Sequence, residues 1–302
     1  MAFNTPILFL IFNRPESTAR VFEKIREVKP KQLFIAADGP RLQKEGEKDL
    51  CEKTRNTVLT NIDWDCEVKT LFREQNLGCG KAVSSAITWY FENVEEGIIL
   101  EDDCLPDISF FKFCEELLHK YRENTKVMSI SGSNFAGKSN NKYSYFKGLG
   151  GIWGWASWKR AWALYDKNME EWSIPKNQEL VKNEIGSKEW FDFYYPMFTN
   201  CYENKIDTWD VQWFYSILIN KGISINPKVN LVQNIGFGAD STHTSNADNI
   251  VAKLKSNSID FPLVHPNNLT LDKKILKEFY FGMMPHKKKS LLKRVISKLN
   301  NR

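Results

Sequence analysis

The chain has 302 residues, of which 42% are hydrophobic and 26% are charged. These fractions are typical of a folded globular protein, and they argue against a disordered chain or a fibrous one. The formal net charge of +5 is unevenly spread, because residues 273–302 hold ten Lys or Arg and only one acidic residue, Glu278. The C-terminal end is therefore electrostatically distinct from the rest of the chain.

The six cysteines form no CxxC pair and lack the density of a disulfide-rich domain. This usage favours free thiols in a reducing compartment, so we expect a cytoplasmic protein. The first apolar run, PILFLIF, spans only about seven residues and lacks a basic flank and a cleavage site, which predicts a core strand and not a signal peptide. We expect no transmembrane span elsewhere.

Predicted strands and helices alternate over the first 130 residues. Apolar runs predict strands at residues 6–12, 32–37, 66–72, 97–100 and 127–131. Helical spacing predicts helices at residues 17–28, 44–59, 80–93 and 109–123. This alternation predicts an α/β fold with a Rossmann-like, mainly parallel sheet flanked by helices. Ligands of such sheets bind beyond the carboxyl ends of the strands.

Beyond about residue 140 the pattern changes to Gly- and Trp-rich segments, such as KGLGGIWGWASWKRAW, without a clean alternation. No linker separates the two parts. We therefore predict one compact domain at residues 1–265, followed by a basic amphipathic tail at residues 266–302.

Polar side chains follow the predicted strands, at the edge of the sheet where ligands are expected. The run GIILEDDCLP is the most unusual of these strand ends, because three aliphatic residues lead directly into three carboxylates. The polar residues at the strand ends are Asn13, Arg14, Asp38, Arg73, Glu101, Asp102 and Asp103.

The three adjacent carboxylates repel one another, and a bound cation would offset that cost. Carboxylate oxygens and the phosphate oxygens of a substrate are common ligands of Mg²⁺ and Mn²⁺. The alternative is that the acids stabilise the N-terminus of the helix that begins near Ser109, but Asp107 is better placed for that role. The pattern therefore favours a site for Mn²⁺ or Mg²⁺.

Several short motifs follow one another along residues 6–245. They are FNRP, ADG, NLGCGKA, EDDCLPDISFF, the Gly- and Trp-bearing residues 148–158, TWD and GFGADSTH. In this order they resemble GT-A glycosyltransferases, most closely the inverting N-acetylglucosaminyltransferase I type, with EDD in the place of the DxD motif of that fold. The resemblance implies a GT-A fold and a metal-dependent inverting glycosyltransferase. Its donor would be a nucleoside-diphosphate sugar, expected to be a UDP-sugar. Its acceptor would be a glycan or a lipid-linked saccharide in bacterial surface polysaccharide synthesis.

The resemblance also assigns roles to individual residues. Residues 1–135 would bind the nucleotide sugar, and residues 136–265 would hold the acceptor and the catalytic group. Asp103 would coordinate the metal, and His243 would either add a ligand or lie on a surface loop without one. The expected donor-binding residues include two basic residues near the strand ends, Arg73 and Lys81. The full set is Asn13, Arg14, Asp38, Arg73, Lys81, Glu101, Asp102 and Ser241. Lys81 taken alone is equally explained as a solvated residue at a helix start. The expected acceptor-binding residues are Trp153, Trp155 and Trp209.

Inversion requires the acceptor hydroxyl to lose its proton as it attacks the anomeric carbon, and a positioned carboxylate can accept that proton. We predict Asp210 as this base, because Trp209 and Trp213 flank it. The family has two adjacent acids at this place, whereas here a valine follows Asp210, so Asp207 is the second candidate. A third interpretation is that Asp210 caps the helix predicted at residues 211–220.

The segment PHKKKSLLKRVISKLNNR, residues 285–302, places its apolar side chains on one helical face. This pattern predicts an amphipathic helix that binds an anionic membrane surface, so the protein would be peripheral on the inner face of the cell membrane. A helix packed on the domain and a nucleic-acid-binding arm are the alternatives. We favour the membrane and expect no nucleic-acid partner.

Two other functions compete with the glycosyltransferase. A sugar-nucleotide pyrophosphorylase shares the sheet, but we expect it to carry a Gly-rich loop directly after the first strand, and IFNRPE has none. A carbohydrate-binding protein with a structural cation would use the Trp-rich loops and would show no affinity for nucleotides.

Overall fold

Four parallel strands form one side of the central sheet in the computed structural model, which describes residues 3–136, 142–236 and 254–283. These strands lie side by side in the order β3-β2-β1-β4. They are β1 (Ile7–Ile11), β2 (Gln32–Ala37), β3 (Glu67–Phe72) and β4 (Glu96–Glu101). Every residue of β1 is buried, as expected for a parallel strand that helices cover on both faces. The strands predicted here are confirmed, with ends that shift by one residue.

Helices cover both faces of this part of the sheet. They are α1 (Pro15–Val28), α2 (Glu47–Leu59), α3 (Cys79–Asn93) and α4 (Ser109–Tyr121). Buried side chains of α1, α2 and α4 join one hydrophobic cluster, whereas those of α3 join another on the opposite face. The sequence sets the bounds of α1, because Pro15 suits a first helical turn and Lys29 ends the helix in a left-handed conformation with φ 50°.

The second half of the chain completes the sheet. Its strands are β6 (Val127–Ser131), β7 (Tyr145–Gly148), β8 (Trp155–Trp158) and β9 (Ile223–Pro227), and the full order is β3-β2-β1-β4-β8-β6-β9-β7. Strand β8 runs antiparallel between β4 and β6. A separate two-stranded sheet pairs β5 (Cys104–Pro106) with β10 (Val232–Asn234). The eight-stranded, mostly parallel sheet and its helices form a single α/β domain, which confirms the predicted fold class.

The remaining helices are α5 (Lys159–Trp162), α6 (Pro175–Ile185), α7 (Lys188–Tyr202), α8 (Asp210–Ile219) and α9 (Lys273–Met283). Helix α9 packs Phe279 and Tyr280 against Trp190 of α7, so the start of the predicted tail contacts the domain. Within the three described ranges, no helix combines the length and the hydrophobicity that a membrane span requires. The amphipathic segment at residues 285–302 lies outside the described residues, and its binding to membranes stays a prediction.

Candidate active site

A cleft of about 520 Å³ opens beyond the carboxyl ends of β1 to β4. Ile11 pairs with Ala37 of β2, and Leu10 pairs with Glu101 of β4, so the strand ends are level with one another. The side chains that follow the strands therefore meet at one edge of the sheet. The charged residues in the lining of the cleft are Arg14, Asp38, Arg41, Arg73, Glu101, Asp102, Asp103, Asp207 and Asp210.

Arg14 lies between the two aspartates of the acidic cluster. Its Nη2 is 2.7 Å from Oδ1 of Asp102, and its Nη1 is 2.9 Å from Oδ2 of Asp103. The backbone N–H of Phe12 also donates to Oδ2 of Asp102 at 3.2 Å. We expected a bound cation to offset the repulsion of these carboxylates, whereas the chain itself supplies a cation in Arg14. Sequence reasoning missed the pair because 88 positions separate Arg14 from Asp102.

Burial decides the protonation of this cluster. Burial raises the pKa of Asp102 to about 6, although the charge of Arg14 opposes the shift. Burial, together with the charges of Asp103 and Asp102, raises the pKa of Glu101 well above its usual value. Oε1 of Glu101 is buried without a hydrogen-bond partner among the described residues. Burial and the neighbouring carboxylates thus disfavour the ionised form of Glu101.

The backbone passes close over the Arg14–Asp103 pair at Gly236. A Cβ atom at Gly236 would lie 2.3 Å from Oδ2 of Asp103 and 2.8 Å from Nη1 of Arg14, so only glycine fits there. The N–H of Ile235 donates to the backbone oxygen of Asp103 at 2.8 Å. The chain thus reaches the cleft at the start of the GFGADSTH motif, but Ser241 and His243 lie outside the described residues.

Asp38 holds a turn of the chain with both of its carboxylate oxygens. Its oxygens accept from the backbone N–H groups of Gly39 and Leu77 and from Nδ2 of Asn76, at 2.9 to 3.1 Å. Burial raises the pKa of Asp38, and the Leu77 N–H bond opposes that shift. Donors from the protein therefore occupy most of the hydrogen-bonding sites on the two carboxylate oxygens, and Asp38 fixes the NLG turn at the edge of the cleft.

The other predicted donor-binding residues differ in their placement. Arg73 lines the cleft, and its Nη2 donates to Oγ of Ser85 at 2.8 Å. Asn13 is outside the lining, because its Nδ2 donates to Oε1 of Glu47 at 2.8 Å. Lys81 is exposed on the first turn of α3, also outside the lining, which fits the simpler interpretation of a solvated helix-start lysine.

Sequence reasoning missed the ion pair between Arg41 and Glu47. The carboxylate of Glu47 is fully buried and accepts from the backbone N–H of Arg41 at 2.7 Å and from its Nε at 2.9 Å. The hydrogen bonds from Arg41 lower the pKa of Glu47 to about 2. Arg41 also lies over the ring of Phe12, 5.6 Å from its centroid, and it lines the cleft. In the sequence, only the position of Arg41 directly after the ADGP turn indicates that it lies near the cleft.

Tryptophans support a second part of the cleft lining, the aromatic wall. Trp209 lines the cleft and stacks on Trp155, with ring centroids 5.7 Å apart. Trp155 is fully buried and also packs on Trp162 and Trp213, so it belongs to the core and not to the lining. Trp153 lines the cleft as well. Of the three predicted acceptor-binding tryptophans, the structure thus places two in the lining.

Asp207 and Asp210 both line the cleft, but they have different partners. Oδ1 of Asp207 accepts from the backbone N–H of Gly80 at 3.0 Å. Oδ1 of Asp210 accepts from the hydroxyl of Thr208. Asp210 is the first residue of α8, and the preceding residue, Trp209, is the N-cap. The interpretation of Asp210 as an N-cap is therefore not supported by the helix boundary.

The acidic cluster offers a divalent metal only part of a site. Carboxylate oxygens suit Mg²⁺ or Mn²⁺, and the side chain of Asp103 keeps 14% of its surface exposed. In the described part of the chain, no group of three or more His, Cys, Asp or Glu side chains has the geometry to hold a metal. Asp103 could therefore provide one ligand, with phosphate oxygens and water as the others.

No protein-family model matches this chain, and no curated protein matches its sequence. Among solved structures, the chain is similar to the inositol-1-phosphate CTP transferase from T. maritima, at 12% sequence identity and a TM-score of 0.39. The alignment covers 85% of this chain and 99% of the transferase. It is also similar to an apo UDP-glucose pyrophosphorylase, at 9% sequence identity and a TM-score of 0.34. This alignment covers 76% of this chain and 93% of the pyrophosphorylase.

These comparisons correct the expected function. The two solved structures are named as a CTP transferase and a pyrophosphorylase, and neither is named as a glycosyltransferase. The prediction of an inverting glycosyltransferase is therefore wrong.

Proposed function

We propose that this protein is a nucleotidyltransferase of the sugar-nucleotide pyrophosphorylase class, which joins a nucleoside triphosphate to a sugar phosphate. The observation that carries the proposal is the meeting of Arg14, Arg41 and Arg73 with the carboxylates of Asp102 and Asp103 in one cleft. Arginines bind phosphate oxygens in a bidentate manner, and carboxylates recruit the Mg²⁺ that accompanies a triphosphate. A neutral saccharide alone would require neither.

The size and position of the cleft also support two substrates. Its volume of about 520 Å³ lies within the range of roughly 300 to 1,000 Å³ that is usual for small-molecule sites. The strand ends form one wall, with Arg73 beside the NLG turn, and would take the nucleotide. Trp153 is partly exposed in the lining and offers an apolar face to a sugar ring, whereas Trp209 is only 2% exposed and supports the lining from behind.

Carboxylates outnumber arginines in the lining of the cleft, so a divalent cation would have to accompany two anionic substrates. An oxygen of the sugar phosphate would form a bond to the α-phosphorus of the triphosphate while the bond between that phosphorus and the bridging α–β oxygen breaks, and pyrophosphate would leave. The attacking phosphate is already ionised, so Asp210 has no proton to accept. Mg²⁺ or Mn²⁺ bound at Asp103 would neutralise charge on the phosphates. Arg14, Arg41 and Arg73 would orient the two anions and offset their repulsion.

The loop after β1 differs from a glycine-rich phosphate loop. Such a loop offers backbone N–H groups to phosphates, whereas the FNRP segment here contributes the guanidinium of Arg14. Among the described side chains, Arg73 donates a hydrogen bond only to the neutral hydroxyl of Ser85, although its charge also acts on Asp38. Its other N–H groups would bind a phosphate. Side-chain cations would therefore replace backbone amides as the phosphate-binding groups.

The test is a product assay with each of the common nucleoside triphosphates, a panel of sugar 1-phosphates and Mg²⁺. We expect release of pyrophosphate and formation of a nucleotide sugar, both identified by mass spectrometry. Arg73→Gln should weaken triphosphate binding by at least about tenfold in calorimetry, because it removes a charge-assisted hydrogen bond. Arg20→Gln, on the exposed face of α1, is the matched control and should bind as the wild type does. Absence of product and of triphosphate binding would refute the proposal.

A further inference from the structure

Asp207 reaches across the cleft into the first turn of α3. A Cβ atom at Gly78 would lie 2.4 Å from Oδ2 of Asp207, and one at Gly80 would lie 2.6 Å from Oδ1. Both distances are far shorter than real contacts of a Cβ atom, so the carboxylate occupies space that exists only because both residues are glycines. Gly78 also has φ +79°, a backbone conformation that favours glycine.

The N-terminus of α3 has no cap from its own sequence. Its N-cap residue is Gly78, which has no side chain to accept a hydrogen bond, and its first turn contains no acidic residue. The first N–H groups of a helix need acceptors and favour negative charge. Asp207 provides both from 127 positions away, because its Oδ1 accepts from the N–H of Gly80 at 3.0 Å. Asp207 is thus a helix cap contributed by the other half of the chain.

This contact joins two segments that line the cleft. Cys79 of α3 belongs to one, and Thr208, Trp209 and Asp210 belong to the other. The backbone oxygen of Thr208 would lie only 2.7 Å from a Cβ atom at Gly80, so the two backbones are in close contact. Asp207 therefore connects the two segments at this point.

We propose that Asp207 is a positioning residue, which holds the Thr208–Asp210 wall at the correct distance from the nucleotide. This inference rests on the proposed function, and it gives Asp207 a role other than that of a catalytic base. Loss of the contact lets the wall that bears Trp209 move away from α3, while the strand ends with Arg14 and Arg73 stay in place. Nucleotide affinity is then retained, and turnover falls because the second substrate is misplaced.

The test compares Asp207→Ala with Asp207→Asn in product formation and nucleotide calorimetry. For Asp207→Ala we expect kcat to fall by at least about tenfold, with an unchanged nucleotide Kd and one nucleotide site per chain. Asp207→Asn should retain kcat within about threefold, since its amide oxygen accepts the same bond from the Gly80 N–H. Gly80→Ala should reproduce the loss although Asp207 is intact. Asp192→Ala, at an exposed ion pair with Lys188, is the control and should leave kcat unchanged.

Three results would overturn the inference. An unchanged kcat in Asp207→Ala would show that the contact does not position the wall. An Asp207→Asn variant as inactive as Asp207→Ala would show that the negative charge or a proton transfer is needed. A fall in nucleotide sites per chain that parallels the fall in kcat would reduce the role of Asp207 to folding.

Hydrogen exchange of the Gly80 amide separates this inference from the proposed function. The exchange should accelerate at least about tenfold in Asp207→Ala and stay slow in Asp207→Asn, because only the alanine variant loses the acceptor. A wild-type protein that forms no product but shows this pattern would refute the nucleotidyltransferase while the Asp207 contact stands. Unchanged exchange in the alanine variant, in a protein that does form product, would refute the contact alone.

Discussion

The two walls of the cleft are stabilised by different interactions. The strand-end wall depends on buried ions, with Arg14 between Asp102 and Asp103 and with Arg41 on Glu47. The aromatic wall depends on ring packing, and the described contacts of Trp155 with Trp209 and Trp213 have centroid distances of 5.7 Å. The strand-end wall should therefore respond to pH and to charge removal, whereas the aromatic wall should respond to the loss of volume.

This difference has a physical basis. Breaking a buried ion pair leaves a charge without its partner, and the cost depends on the protonation state of the group that remains. Truncating a packed indole leaves a cavity, and that cost is the same at any pH at which the protein is folded. A substitution in one wall is therefore expected to weaken the interactions of that wall and to leave those of the other wall unchanged.

Trp213→Ala should have the largest effect. Trp213 is 2% exposed and its ring centroid lies 5.1 Å from that of Trp162, so truncation leaves a large cavity. We expect the free energy of unfolding to fall by about 3 to 5 kcal/mol, independently of pH, as measured by urea denaturation. Ile174→Ala, at a side chain that is 45% exposed, is the control. Equal losses in the two variants would contradict the importance of aromatic packing.

Asp102→Ala should cause the second-largest loss in the free energy of unfolding. It removes the carboxylate that is 2.7 Å from Arg14, but Arg14 retains Asp103, so we expect a loss of about 2 to 3 kcal/mol in urea denaturation at pH 7. Asp63→Ala is the matched control, because it removes an aspartate–arginine pair at the exposed residue Arg26. No measurable loss is expected there. A loss in Asp63→Ala as large as in Asp102→Ala would remove the distinction between the cleft and the surface.

Glu47→Gln should have a smaller effect that depends on pH. The pKa of Glu47 is lowered to about 2 in the folded protein and is about 4.5 in the unfolded chain, so its ionised form favours folding above pH 4.5. The wild type should exceed the variant by about 2 kcal/mol at pH 7. This difference should shrink as the pH falls from about 4.5 towards 2, because the folded protein must then release the bonds from Arg41. Glu52 is exposed on the same helix, and the stability difference between Glu52→Gln and the wild type should not change over this pH range. A difference that is constant with pH would contradict the ionic character of this wall.

The smallest effect concerns the reactivity of Cys79, with no change in stability. Burial, and then the negative charges of Glu101 and Asp210, raise the pKa of the Cys79 thiol to about 12. The thiolate is the reactive form, so alkylation by iodoacetamide at pH 8 should be at least about tenfold slower in the folded protein than in urea. Mass spectrometry of the wild type and of Cys79→Ser identifies the site. Equal rates in the two states would contradict the burial and the negative surroundings that raise the pKa of this thiol.

The sequence predicted the strand-end wall better than the aromatic wall. Residues that follow buried strands of a parallel sheet must meet at one edge, so Arg14, Asp38 and Asp103 could be placed together without coordinates. Their partners could not be identified, because hydrogen bonds such as that from Asn13 to Glu47 depend on how separate loops approach each other. The acids therefore looked like an open metal site, although Arg14 already compensates them.

The aromatic wall was harder to predict because tryptophan is used both in cores and in binding sites. Trp155 and Trp209 have the same chemistry, and only the packing of α8 on the sheet distinguishes the buried ring from the one that also reaches the cleft. The contact between Asp207 and Gly80 was missed for a related reason. The NLGCGKA motif shows two glycines, but nothing in the motif indicates that a carboxylate from residue 207 fills the space beside them.

The position of β8 has a consequence for biosynthesis. This strand lies between β4 and β6, and it pairs Glu96 with Trp158 and Ile99 with Trp155. A nascent chain that ends before residue 155 would expose the apolar edge of β4 to other chains, since unpaired strand edges invite aggregation. Cutting the gene between the two halves should therefore give an insoluble N-terminal product, whereas co-expression of both halves would allow the missing strand to insert.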